Sequence, residues 1–236
     1  NNIFSRFNYF MADRNVLYSG SVLTIDNNVL EGMDNYLIFD LEMNGSNEFG
    51  SSKLVLTNNN ISGTNPRIYE TAFYDSGDEY GAIITDNIIT HTNNGSAEWK
   101  FYGSSMAHGR VLVEGNTFVG IGLKAEYMIE VLITGNTLES YNSSYALYLN
   151  RSNAVVEHND IINNGYTGIL VNTDFNYLSA ADTIRYNTIT GNNYQNNNNH
   201  YGIQINDHAN PVIWQNNIYD NSNYDIYNNS SVNDID

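Results

Sequence analysis

One eight-residue pattern recurs along the chain and constrains what it can fold into more than any other feature, because a short fixed period implies a stacked architecture. Val131-Leu132-Ile133-Thr134-Gly135-Asn136-Thr137-Leu138 returns in recognisable form as Val111 to Phe118, Val22 to Val29, Leu54 to Ile61, Ala82 to Ile89, Ala154 to Ile161, Asp182 to Ile189 and Pro211 to Ile218. The shared asparagine falls at Asn27, Asn59, Asn87, Asn116, Asn136, Asn159, Asn187 and Asn216, so one repeat runs from 20 residues (116 to 136) to 32 residues (27 to 59). Three places before it stand Thr24, Leu56, Ile84, Val113, Ile133, Val156, Ile184 and Ile213, and two places after it Val29, Ile61, Ile89, Phe118, Leu138, Ile161, Ile189 and Ile218. Apolar, largely β-branched columns with period-two alternation around them mark short strands with one buried face.

A unit this short cannot cover its own apolar face and must stack on copies of itself. The expected fold is therefore all-β: a single-chain right-handed parallel β-helix, a solenoid of about nine coils. At about 4.8 Å per coil the rod would be on the order of 45 Å long. The asparagine column belongs at the bend between two strands, where Asn tolerates left-handed backbone and its amide can bond to the Asn of the next coil. A second strand family, Tyr145 to Asn150, Tyr201 to Asn206, Tyr224 to Asn228 and Tyr166 to Asn172, gives each coil at least two strands, and its leading tyrosines suggest a second structural ladder. The whole of 1–236 reads as one domain. The chain opens mid-bend at Asn1-Asn2-Ile3-Phe4 without an initiator methionine or signal segment, so it is expected to be part of a longer precursor or assembly that covers the open end.

Nine basic against 26 acidic residues give a formal net charge of −17, which repels nucleic-acid phosphate and anionic lipid, and no apolar run reaches the length of a membrane span. Neither nucleic acid nor membrane insertion is expected. With no cysteine there is no disulfide framework and no thiolate metal site. The repeat architecture and the asparagine-rich surface suggest an extracellular or cell-surface location.

The stretch Val155-Val156-Glu157-His158-Asn159-Asp160-Ile161-Ile162-Asn163-Asn164-Gly165-Tyr166-Thr167-Gly168-Ile169 resembles the repeats of pectate-lyase-like β-helices and of the periplasmic accessory proteins of copper nitrous oxide reductase (NosD-type), and the resemblance covers nearly the whole chain. That superfamily includes lyases, hydrolases, epimerases, phage tailspikes, adhesins and surface-layer proteins, so it implies a fold and little about activity. Ala107-His108-Gly109-Arg110 is similar to the segment around the catalytic Arg-His-Gly of chondroitinase-B and alginate-lyase β-helices, with Ala107 where that family has its arginine.

Lys100, His108, Arg110 and Lys124, with Glu114 and Glu126, lie within about one coil of each other in sequence. A lyase acting on an acidic polysaccharide needs such groups: a cation neutralises the uronate carboxylate and a base removes the α-proton. The alternative is surface decoration. Asp40 and Glu42 with Glu48, and Asp75, Asp78 and Glu79, are carboxylate clusters that could ligate Ca²⁺, or are solvated loop charge. Asn172-Thr173-Asp174 echoes a polygalacturonase triplet without the paired aspartates that chemistry uses. Tyr148, Trp214, Tyr219 and Tyr227 are the aromatic residues best placed for stacking on sugar rings. Four places before the asparagine, where side chains should point outward, stand Leu23, Val55, Ile83, Leu112, Leu132, Val155 and Val212, an apolar stripe that a neighbouring domain or a second copy would cover.

Two function classes follow. The first is an extracellular structural or adhesive protein that self-assembles or binds a polysaccharide or cell-surface glycan. The second is a polysaccharide-degrading enzyme, a Ca²⁺-assisted lyase of acidic polysaccharide or part of a phage tailspike.

Overall fold

The computed structural model describes residues 2–5, 15–17, 22–31, 40–43, 53–63, 70–73, 80–92, 97–103, 108–140, 143–173, 181–193 and 200–231, with backbone alone for 2–5, 15–17, 40–43, 70–73 and 108. The described residues contain strands and no helix. The strands pair in parallel into three sheets of nine, nine and eight strands, and consecutive strands of the chain fall in different sheets. The chain therefore winds round, laying one strand on each sheet per turn, as expected for a parallel β-helix. Strands that follow the bend asparagine form sheet I, for example Thr137–Glu139; the second strand family forms sheet II, for example Tyr145–Asn150; strands that precede the asparagine form sheet III, for example Ala154–Glu157.

The core is made of the apolar columns read from the sequence. In sheet III Leu56, Ile84, Val113, Ile133, Val156 and Ile184 are buried in register, and in sheet I Ile61, Ile89, Phe118, Leu138, Ile161 and Ile189. Sheet II adds Phe101, Ala125, Leu149, Val171 and Ile205. Each fully buried Leu, Ile or Val contributes roughly 1.5–3 kcal/mol, which a coil collects only when its neighbours are in place. The largest fully buried side chains are aromatic and pack together, Trp99 lying 5.1 Å from Phe101 and 6.2 Å from Phe118 between centroids.

Side-chain amides run through the bend between sheets III and I. The backbone N–H of Asn136 donates to Asn159 Oδ1 at 2.9 Å, and its Nδ2 lies 2.9 Å from Val113 O, one coil back, and 3.0 Å from Thr134 O. The same geometry repeats at Asn59, Asn87, Asn116, Asn159 and Asn187, and Asn216 accepts from Asn187. These amides satisfy backbone groups at a bend that no β ladder reaches. The residue just before each rung has positive φ: Asn58, Asp86, Gly115, Gly135, His158, Tyr186 and Gln215.

The first coil departs from the sequence reading by one residue. The rung is Asn28, whose N–H donates to Asn59 Oδ1 at 3.0 Å, while Asn27 holds the left-handed position at φ 57°. The core positions become Ile25, paired with Leu56, and Leu30, paired with Ile61, and both are buried. The polar exception Thr24 disappears from the core column: it is exposed and pairs with Val55. Leu23 consequently leaves the outer stripe and packs against the core beside Leu54. The doublet Asn27-Asn28 offers two candidates for the rung, and only the apolar register separates them.

A second amide ladder went unread. Asn164 donates to Asn192 Oδ1 at 2.6 Å through Nδ2, Asn192 donates to Asn221 Oδ1 at 2.9 Å, and Asn164 Oδ1 accepts the N–H of Ser140. It lines the exit from sheet I, and its signal was the spacing Asn159/Asn164, Asn187/Asn192 and Asn216/Asn221.

Candidate functional site: the outer face of sheet II

Sheet II alternates its side chains between core and surface, which places one column on the outer face in continuous register: Lys100, Lys124, Tyr148, Leu170, Gln204 and Tyr227. Two residues further along the strands runs a second column, Tyr102, Glu126, Asn150 and Asn172. The two columns are tied together by charge. Glu126 lies 3.1 Å from Lys100 Nζ and 3.2 Å from Lys124 Nζ, and accepts from Asn150 Nδ2 at 3.1 Å. Burial pushes the Glu126 carboxyl up, but the Asn150 and Lys100 hydrogen bonds and the Lys124 and Lys100 charges outweigh it, leaving the group below its ordinary value of 4.5.

Aromatic rings complete the surface. Lys100 Nζ sits 4.6 Å from the Tyr102 centroid and Lys124 Nζ 4.9 Å from that of Tyr148, both within cation–π range. Tyr148 lies 5.0 Å from Tyr145, whose hydroxyl donates to Glu98. Asn172 Nδ2 donates to Tyr148 OH at 3.3 Å. At the turn out of the sheet, Arg151 bonds the Tyr127 hydroxyl and stands 4.9 Å from that ring. Burial raises the phenols of both Tyr145 and Tyr148, reinforced at Tyr145 by the Glu98 carboxylate and only partly offset at Tyr148 by the Asn172 hydrogen bond.

The structure divides the basic cluster that sequence proximity suggested. Lys100, Lys124 and Glu126 meet on sheet II, whereas His108, Arg110 and Glu114 belong to strand His108–Glu114 of sheet III, past the turn. There Arg110 Nε is 3.6 Å from Glu130 Oε2, and Tyr80 OH donates to Glu130 Oε1 at 3.0 Å. Sequence neighbours in a solenoid can point away from different sides of the rod, which proximity along the chain does not reveal.

The aromatic candidates divide as well. Tyr148 and Tyr227 share the sheet II column, Tyr219 is on sheet I, and Trp214 ends a strand of sheet III. The strand-leading tyrosines form no single ladder: Tyr145 contacts Tyr148, Tyr166 packs edge-on to His200, and Tyr201 stacks on Tyr224 and Tyr227. The outer stripe of sheet III runs in register through Val55, Ile83, Leu112, Leu132 and Val155, all half-buried, then Thr183 and exposed Val212. Asp40 and Glu42 lie in strand Asp40–Met43 of sheet II, while Glu48, Asp75, Asp78 and Glu79 fall outside the described residues. Among the described residues no group of three or more His, Cys, Asp or Glu is placed to hold a metal ion.

Tyr102, Tyr145, Asn150 and Arg151 are the members of this surface that sequence reasoning missed. Aligning Leu123, Leu147, Ile169 and Ile203 as the buried column of sheet II would have found Tyr102 and Asn150, since the outward positions follow from it, whereas Tyr145 shares the parity of Leu147 and Arg151 stands past the strand end at the turn.

A family model described as right handed beta helix region matches residues 99–236, more than half of the chain and the part that carries this surface. The chain belongs to the right-handed β-helix family. Comparison with curated proteins yields no match, and comparison with solved structures yields none.

Proposed function

We propose that this chain is a non-catalytic, polysaccharide-binding β-helix that works outside the cell, with the outer face of sheet II as its docking strip. The observation that carries the reading is the paired column of Lys100, Lys124 and Tyr148 beside Tyr102, Glu126 and Asn150. Three of the nine basic residues, Lys100, Lys124 and Arg151, gather on neighbouring coils there, which gives a chain of net charge −17 a local run of cations that suits an acidic glycan. Its aromatic faces and amides are spaced by the coil repeat, about 4.8 Å, and suit a ligand that is itself a chain of similar units.

Acid–base chemistry is the weaker use of the same residues. Glu126 is held ionised between two ammonium groups, and Tyr145 and Tyr148 are pushed away from the pKa range in which a phenol serves as a base. Lys100 and Lys124 are also separated from Arg110 by the sheet II to sheet III turn. A second, structural reading draws on the apolar outer stripe of sheet III, a face suited to side-by-side packing of copies.

The test is affinity electrophoresis against polygalacturonate, alginate, dextran and hydroxyethylcellulose. Retardation by one or more, abolished in the double variant Lys124→Ala/Tyr148→Ala, supports the strip. No retardation by any of the four, or retardation unchanged in the variant, refutes it. Ultraviolet-absorbing unsaturated ends appearing during incubation would identify a lyase instead.

A further inference from the structure

The bend between sheets III and I carries a feature that neither the fold nor the sheet II strip explains. The corner residue before each amide rung is left-handed throughout, and in the first five coils it is Asn27, Asn58, Asp86, Gly115 and Gly135, the residue types that adopt positive φ at least cost. In the next two it is His158 at φ 57° and Tyr186 at φ 56°. His, like Asn and Asp, visits this region readily, and the last corner is Gln215, but the bulky Tyr186 is an outlier there, and such outliers persist where something other than the turn requires the side chain.

The side chains placed there form a row. His158 stacks on Tyr186 at 5.1 Å with the planes 8° apart, and Tyr186 meets Trp214 at 5.0 Å, tilted by 60°. The row stays open to solvent: Tyr186 is 40% and Trp214 38% exposed, and His158 is exposed. Its rim is polar. Arg185 Cζ lies 5.8 Å from the Tyr186 centroid and 5.6 Å from that of Trp214, and Arg185 Nε is 2.7 Å from Glu157 Oε2.

We infer that His158, Tyr186 and Trp214 form a second, separate ligand site, which binds the sugar rings of a neutral oligosaccharide. A pyranose has a flat C–H face that packs on exposed aromatic rings and an edge of hydroxyls that matches a guanidinium donor beside a carboxylate acceptor, which is what Arg185 and Glu157 supply. Nucleobases also stack on aromatic rings, but their phosphates are repelled by a chain of net charge −17. The Arg185 charge is balanced by Glu157, so the rim selects hydroxyls over a free anionic group.

Tryptophan fluorescence tests this directly. The chain has two tryptophans, and Trp99 is fully buried, so Trp214 alone reports surface binding. The protein is titrated with cellohexaose, mannohexaose and maltohexaose while emission and acrylamide quenching are followed. At least one should change Trp214 emission saturably and shield it from acrylamide, with affinity weakened about tenfold in Tyr186→Gly and His158→Asn. Both substitutions place residue types already found in the same corner column, so the fold is retained. The Lys124→Ala/Tyr148→Ala variant should respond like the parent, which separates this site from the sheet II strip. Absence of a saturable response to all three sugars, or an undiminished response in Tyr186→Gly, overturns the inference.

Discussion

Asp182 occupies a position where the other coils bury Leu54, Ala82, Val111, Val131 and Ala154 against the core. Its carboxyl is buried and accepts the N–H of Ala154 at 2.9 Å, and burial, only partly offset by that bond, raises its pKa from 3.8 to about 7. The folded state therefore holds the proton more tightly than the unfolded chain does. Stability from this group is fully present below the unfolded value of 3.8 and is lost as pH rises towards about 7. The difference corresponds to about 4 kcal/mol. Asp182→Asn retains an oxygen for the Ala154 N–H and cannot ionise, so it should remove this loss. The assay is urea denaturation of parent and variant between pH 4 and pH 8, reading the gap between the two, because every other titrating group is shared. The gap should open with rising pH in favour of Asp182→Asn, approaching about 4 kcal/mol above neutrality. A gap that stays constant across the range would refute the argument.

Three further outcomes follow from the geometry. Asn136→Ala removes the partners of the Asn116 N–H and Val113 O, both in the buried bend, at about 1–3 kcal/mol each; a loss of about 4 kcal/mol is expected in urea denaturation, and Asn136→Asp, which sets an oxygen against Val113 O, should fare no better. Gly168→Ala puts a methyl carbon 2.6 Å from Gly202 O, a backbone atom, and should cost about 1–3 kcal/mol by the same measurement. Lys124→Ala should weaken retardation by polysaccharide while changing the denaturation midpoint by the equivalent of less than about 1 kcal/mol, because the Lys124 ammonium is partly solvated and the buried Glu126 carboxylate keeps Lys100 and Asn150 as partners.

Sheets I and III could be read from the sequence because each coil returns to the bend asparagine after a fixed strand–bend–strand unit, and the apolar columns hold register on both sides of it. The slip in the first coil shows how local that information is: Asn27-Asn28 gives two choices, and the buried pair Ile25 and Leu30 decides between them. Sheet II was harder because segments of different length separate it from the bend, so counting from the asparagine loses register there. Grouping Lys100 with Arg110 failed for a related reason, since the chain turns between them from one side of the rod to another. The asparagine alignment already places His158 and Tyr186 in the corner column, one before the rung, but it does not show that this corner is left-handed, which is what makes Tyr186 unusual beside Asn, Asp and Gly in the earlier coils.

Inner and outer positions of a coil answer to different constraints, and this is where binding can be written into such a protein. In sheet II the inner column reads Phe101, Ala125, Leu149, Val171 and Ile205, all buried and apolar, because each must fit the coil above and below. The adjacent outer column reads Lys100, Lys124, Tyr148, Leu170 and Gln204, changing from cation to aromatic to aliphatic to amide while the backbone pairing continues unbroken. The stack supplies a rigid, evenly spaced support and leaves the outer chemistry to vary coil by coil. Substitutions in the outer columns should therefore alter the proposed glycan binding with little change in stability, whereas inner substitutions such as Leu149→Ala should cost about 2–5 kcal/mol through the cavity they leave.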